Sequence, residues 1–295
     1  MIASAGGDYL ERLGRRTAAA GTVLCLGLDP DPAEIPATFG RGLRAAERFA
    51  RLILDVGAPV AAAVKANLAF FEAFGPAGLA ALERLRAAVP TDVPFLADAK
   101  RADIGSTAAR QAVALFDRLG ADAITVNPYL GREAIEPLLE RADRFAYVLC
   151  RTSNPGAGEL QGLVVAAELG GGAPAEPLWA RVARSAVGWG DGRTVGLVVG
   201  ATAPAELRRI RAIAPGLAFL VPGVGTQGGA VEPVLRAGPA TDPPASDYPG
   251  GGLLVNVSRG IARAAAGGNG RATPDPVERV AAAAREWSAR LAVLR

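Results

Sequence analysis

The sequence has no histidine among its 295 residues. That absence removes Ser-His-Asp and Cys-His catalysis and makes a zinc site improbable. Any general acid or base must therefore be a carboxylate, a lysine or a tyrosine. Only two cysteines occur, Cys25 and Cys150, each inside an apolar run, where a buried reduced thiol is expected rather than a disulfide or a metal ligand. No apolar run reaches the roughly 18 residues needed to cross a bilayer. The N-terminal MIASAGGDYLERLGRR also lacks the apolar stretch and cleavage pattern of a secretory signal. These features predict a soluble, cytoplasmic chain with no membrane partner. The formal net charge is only +3 and the arginines are spread without a basic block, so nucleic-acid binding gains no support.

Lysine is nearly missing too. Of the 32 basic residues only two are lysines, Lys65 and Lys100, and both fall at the ends of apolar, strand-like runs. Arginine keeps its proton near neutral pH, whereas the pKa of a lysine responds to its surroundings. Two lysines surviving in so arginine-rich a chain are candidates for work that arginine cannot do.

What the sequence does contain is alternation. Half of the residues are apolar, and short apolar runs read as strands at Thr22 to Asp29, Ala62 to Leu68, Val93 to Lys100, Asp122 to Pro128, Phe145 to Ser153, Thr194 to Ala201, Ala218 to Val224 and Leu253 to Arg259. Between them lie stretches of helical spacing, including Leu43 to Val56, Ala77 to Val89, Thr107 to Leu119 and Pro204 to Ile213, with a last helix from Pro276 to Leu294. The pattern predicts an α/β fold, a (β/α)8 TIM barrel spanning residues 1–295 as a single domain with an extra N-terminal helix. A doubly wound sheet is the structural alternative. Two loops are long. Asn154 to Glu176 follows a strand and belongs on the catalytic face, whereas Gly238 to Gly252 precedes one and should be a mobile excursion on the opposite face.

Barrel enzymes carry their chemistry at the carboxyl ends of the strands. The first strand ends in Asp29 of LGLDP, the second carries Lys65 of VKANLAFFE, and the third ends in Asp98 and Lys100 of FLADAKRADIGSTA. Residues two apart on a strand share a face at about 6 to 7 Å, so Asp98 and Lys100 should point together into the barrel mouth. The four charges would then alternate in sign, which is the condition for keeping them partly buried. A purely structural ion-pair network is the plainer reading of these four residues.

The opposite side of the mouth favours a functional reading. Strand seven runs into VPGVGTQGG, which formally matches G-x-G-x-x-G but lies in the wrong place for a dinucleotide fold. Loops after strands seven and eight of barrels often bind phosphate through backbone N–H groups, and Arg259 of LLVNVSRGI stands ready to pair with a phosphate dianion. Strand five ends in RTSNPG, where Ser153 can exchange hydrogen bonds and Asn154-Pro155-Gly156 forms a turn. A phosphorylated small molecule reacting near Lys100 is the substrate class implied.

FLADAKRADIGSTA resembles the D-x-K-x-x-D-I signature of the orotidine 5'-phosphate decarboxylase family, and the chain is similar to that family's longer bacterial subtype. GLDP, VKANLAFFE, VNPYLG, TSNPGA, PGVGTQGG and SRGI accompany the signature in the family's order between Leu24 and Ile261. The resemblance implies decarboxylation of orotidine 5'-phosphate to UMP, the last step of pyrimidine synthesis, with no metal and no organic cofactor. It implies that Asp29 hydrogen-bonds the ribose, that Lys65 bridges ribose and charge network, that Asp98 stands beside the departing carboxylate and that Lys100 protonates C6. Asp103 and Thr107 match positions that reach into the neighbouring subunit's site, which implies a homodimer with shared active sites. Ser153 would read the pyrimidine edge. Gln227 and Arg259, with the backbone around Gly225 and Ser258, would hold the phosphate, and Pro222 belongs to the same binding set. Ser258 is a departure, since many shorter members have glycine before the final arginine. Three other chemistries remain open: a Schiff-base aldolase, a metal-dependent sugar-phosphate lyase or synthase, and a barrel that binds nucleotides without turnover.

Overall fold

Runs such as LCLGL and VGLVV are buried at every position, the signature of parallel strands covered on both faces. In the computed structural model, which describes residues 6–167, 175–267 and 275–293, these runs become eight parallel strands. They are β1 (Leu24–Leu28), β2 (Ala63–Asn67), β3 (Phe95–Arg101), β4 (Ala123–Val126), β5 (Phe145–Arg151), β6 (Val195–Val199), β7 (Ala218–Val221) and β8 (Leu254–Val257). β8 pairs back onto β1 and closes the barrel, so the fold is a (β/α)8 barrel and the open doubly wound alternative is excluded.

Strand alternation divides the core in two. Cys25, Leu96, Phe145, Tyr147, Leu220 and Leu254 pack together along the axis, while the intervening residues meet the helices in a larger cluster. Helix α2 (Gly42–Gly57) shows why the outer layer docks as it does. Its buried residues Ala46, Phe49, Ala50, Ile53, Leu54 and Gly57 recur at spacings of three and four, forming one apolar stripe.

The predicted N-terminal helix is present as α1 (Tyr9–Ala20), capped by the Asp8 carboxylate, which accepts the Glu11 N–H at 2.8 Å. It plugs the amino end of the barrel. Tyr9 stacks on Phe145 at 4.7 Å and its hydroxyl lies 3.1 Å from that of Tyr147. Arg12 reaches the buried carboxylate of Asp122 at 3.1 Å, with Arg86 at 3.4 Å on its other oxygen. Asp122 also accepts the Phe95 N–H, so this end of the barrel is tied shut.

Seven of the eight strands end sooner than their apolar runs suggest, whereas β3 runs one residue beyond Lys100, to Arg101. The readings that carried them to Pro128, Ser153, Val224 and Arg259 overran, because the ladder stops where the chain turns out over the barrel mouth. Pro128, for instance, opens a 3-10 turn that Asn127 caps through the Tyr129 N–H. The helix expected over Thr107 to Leu119 starts earlier, at Gly105, and its second half, Val113–Arg118, winds as a π-helix. The last helix runs from Pro276 to Arg290, and Leu294 lies outside the described residues.

The segment Gly238 to Gly252 corrects the expectation of a mobile excursion. Thr241 and Asp242 donate their N–H groups to the Pro215 carbonyl, Ala240 donates to Gly251, and Ala245 is fully buried. Backbone bonds and burial hold the segment against the barrel. In the other long loop, Ala157–Gln161 is helical and Val164–Val165 pairs antiparallel with Glu176–Pro177; its LGGGAP stretch lies outside the described residues.

Candidate active site

The carboxyl ends of β1, β2 and β3 bring the four expected charges into one row. Lys65 Nζ lies 4.0 Å from Asp29 Oδ1 and 3.1 Å from Asp98 Oδ2, and Lys100 Nζ lies 2.6 Å from Asp98 Oδ1. Asp29 also accepts the Asn67 N–H at 3.2 Å. Lys65 is 4 % exposed, whereas the Lys100 side chain is 47 % exposed, so the row runs from a sealed ammonium to one that faces the mouth. Burial alone would raise the Asp98 pKa, but Lys65, Lys100 and the hydroxyl of Thr125 overcome it and hold the carboxyl well below the usual range. For Lys65 burial favours the neutral amine, yet Asp29 and Asp98 prevail and the pKa rises. Beneath the row, burial pushes the Cys25 thiol up to about 12, which leaves it an inert neutral group.

Asp98 and Lys100 meet by a different route from the one strand alternation suggests. The pairing of β3 with β4 slips between Ala97 and Arg101, so the strand bulges there. Lys100 is the one non-glycine residue with positive φ, at 48°, among the described residues. This left-handed conformation is unfavourable for a side-chain-bearing residue. It turns the ammonium back over Asp98. The residue that accompanies the bulge, Thr125 of β4, was not anticipated: its Oγ1 accepts the Lys100 N–H at 3.0 Å and donates to Asp98 Oδ1 at 2.7 Å. A threonine inside an apolar strand carries no local signal of such a role.

Across the mouth, Gly223 brings Ser153 and Gln227 together. With φ at 96°, a Cβ there would lie 2.8 Å from the Ser153 Cβ and 2.9 Å from Gln227 Oε1, so glycine is what the close approach permits. Pro222 accepts the Ala201 N–H and fixes the start of this loop. The loop after β7 and the turn after β8 rest on the same indole: Trp287 lies against both Gly225 and Gly260, and its Nε1 donates to the Gly260 carbonyl at 3.2 Å. Trp287 was likewise not singled out in the sequence. β8 ends at Val257, so Arg259 is exposed on the first turn of a short helix rather than on a strand. The Gly225 N–H donates to Gly229 and is thereby committed within its own loop. Ser258 Oγ is buried without a hydrogen-bond partner.

Two expected residues stand apart from the row. The Asp103 carboxylate accepts the N–H of Ile104, and Thr107 lies in the first turn of the helix that follows. Ile104, between them in the chain, is an exposed apolar group, as are Tyr129 and Leu130 in the turn after β4.

Fold and site together define a (β/α)8 barrel with a row of lysines and carboxylates at the carboxyl ends of β1 to β3, faced by a glycine-rich loop after β7 and an arginine-bearing turn after β8. Among the described residues no group of three or more acidic or cysteine side chains is placed to hold a metal ion. The chain belongs to the orotidine 5'-phosphate decarboxylase / HUMPS family, whose sequence model matches residues 22–270. It is 48 % identical over 255 residues to an orotidine 5'-phosphate decarboxylase of Halorubrum lacusprofundi, covering 86 % of this chain and 87 % of the relative. It is 44 % identical over 247 residues to one of Herpetosiphon aurantiacus, covering 83 % and 86 %. Among solved structures, Leishmania donovani OMP decarboxylase superposes with a TM-score of 0.75 at 37 % identity, covering 96 % of this chain and 98 % of that one.

Proposed function

We propose that the chain decarboxylates orotidine 5'-phosphate to UMP and CO2 in pyrimidine biosynthesis, using its own lysines and carboxylates and no metal or organic cofactor. The observation that carries the reading is the Asp98 carboxylate held between two ammoniums, Lys65 on one oxygen and Lys100 on the other. Breaking the bond between C6 and the carboxylate leaves an electron pair on C6 with no adjacent sink. Lys100 stabilises that charge as it develops and then gives C6 a proton. Asp98, kept ionised by its neighbours, faces the substrate carboxylate; at about 5 Å and an effective dielectric of 20 the two repel by roughly 3 kcal/mol, and loss of CO2 relieves the repulsion.

A reaction this slow without an enzyme needs its barrier lowered by about 20 kcal/mol, so charge repulsion is one contribution among several. Remote binding supplies more when it forces the carboxylate towards Asp98. In this reading Gln227, Arg259, Ser258 and the loop of Pro222 and Gly225 grip the phosphate, Asp29 and Lys65 hold the ribose, and Ser153 reads the pyrimidine edge. Asp103 and Thr107 serve the site of a second copy of the chain. The exposed apolar side chain of Ile104, next to Asp103 in the chain, supports a homodimer. A single domain and a cytoplasmic location belong to the same reading; no helix among the described residues is long and apolar enough to cross a membrane.

The test is the ultraviolet absorbance change on mixing the protein with orotidine 5'-phosphate in the presence of EDTA. Turnover that persists in EDTA supports the reading. Turnover that EDTA abolishes and a divalent cation restores points instead to metal-dependent chemistry.

A further inference from the structure

We propose that Thr125 is a positioning residue for the decarboxylation, its hydroxyl locking the Asp98 carboxylate to the backbone of Lys100 so that carboxylate and ammonium keep a fixed relation to the reacting carbon. The inference rests on the decarboxylase reading and deepens it.

The polarity of the contacts leaves the hydroxyl no freedom. The Lys100 N–H can only donate, so at 3.0 Å Thr125 Oγ1 must accept from it. The single Thr125 proton then goes to Asp98 Oδ1 at 2.7 Å. Asp98 Oδ1 also receives Lys100 Nζ at 2.6 Å. Thr125 Oγ1, Asp98 Oδ1 and the backbone and side-chain nitrogens of Lys100 thus close a small ring, in which the hydroxyl touches both partners that chemistry at C6 would use. Thr125 itself is 2 % exposed and lies behind Asp98 rather than in the mouth, so it acts through its neighbours.

The bulge explains why a hydroxyl is needed there. In an unbroken parallel ladder the N–H groups of β3 that point towards β4 would find its carbonyls. Between Ala97 and Arg101 the register slips, and the Lys100 N–H finds the threonine side chain instead. Without that bond the Lys100 N–H would lose its partner, and the left-handed turn that aims the ammonium would lose its anchor. Valine has the same shape as threonine but not the hydroxyl. A site that needed only volume would be served equally by either.

Three proteins test this: the parent, Thr125→Val and Thr125→Ser, each assayed for kcat and KM with orotidine 5'-phosphate, for UMP affinity and for melting temperature. Misplacement of reacting groups predicts that Thr125→Val lowers kcat by about 10- to 100-fold. KM and UMP affinity should move by less than about threefold while Thr125→Ser keeps kcat within about threefold of the parent. If the valine variant does not fold, Thr125→Ala carries the same comparison. A kcat for Thr125→Val within about threefold of the parent overturns the inference. So does a loss that follows UMP affinity or melting temperature, or a serine variant as impaired as valine. These outcomes leave the decarboxylase reading standing if the parent is active; a parent without decarboxylase activity overturns both.

Discussion

In the proposed mechanism Asp98 must stay ionised while a second carboxylate is brought against it, and its immediate neighbours decide whether it can. Because its folded-state pKa lies below that of a free aspartate near 4, ionised Asp98 contributes stability that is fully present above about pH 4 and is lost as pH falls through the folded value. Lys65 is the mirror case: its raised pKa gives a contribution fully present below about pH 10.4 and lost as pH rises through the folded value. Asp98→Asn removes the acid-labile term. We expect urea denaturation between about pH 4 and pH 2 to show the parent losing more stability than the variant across that window; parallel losses would mean that Asp98 is not held ionised by its neighbours. At this scale the sequence was readable where a residue broke a rule. Charges at the ends of apolar strands are costly unless they do something, which marked out Asp29, Lys65, Asp98 and Lys100. Thr125 broke no rule, since threonine is an ordinary strand residue, and its part is visible only once β3 is seen to bulge against β4.

Elements place these residues, and two local devices matter most. One is the bulge in β3, where Lys100 takes a left-handed conformation. Strand periodicity led to the right contact between Asp98 and Lys100 by assuming an unbroken strand, because a bulge of this kind leaves no mark in a run such as FLADAKR. The other is Trp287, which braces Gly225 and Gly260 from the last helix. Its spacing from VPGVGTQGG and SRGI in the sequence gives no hint that all three meet. Trp287→Phe keeps much of the ring but removes the bond to the Gly260 carbonyl. We expect this variant to weaken UMP binding by about 3- to 10-fold, in line with a lost hydrogen bond of about 1 kcal/mol, while uridine, which lacks the phosphate, binds as to the parent. Calorimetric titration with both ligands measures this; an equal loss for the two would show that Trp287 supports the site generally and not the phosphate turns. Strand ends and the segment Gly238 to Gly252 were misread for a related reason. Whether a glycine- and proline-rich stretch is free or pinned depends on what it packs against, here the Pro215 carbonyl and a pocket for Ala245.

For the whole molecule, the order of strands and helices carried the fold, since alternation around one apolar core leaves few ways to close. The expectation of a homodimer came only through resemblance. If Asp103 serves a partner's site, chains carrying Lys100→Ala and chains carrying Asp103→Ala are each inactive alone, yet a mixed dimer holds one site with both residues intact. Random re-pairing of equal amounts should therefore restore about a quarter of parental activity, measured after dissociation and reassociation; a mixture no more active than its components would place Asp103 in its own chain's chemistry or in none. The central claim remains that Lys100, aimed by the bulge and paired with Asp98, stabilises and protonates C6. Its most direct test is the turnover of Lys100→Ala with orotidine 5'-phosphate, set beside its affinity for UMP. The account predicts turnover lower by at least about 1,000-fold with UMP still bound; turnover within about tenfold of the parent would contradict it.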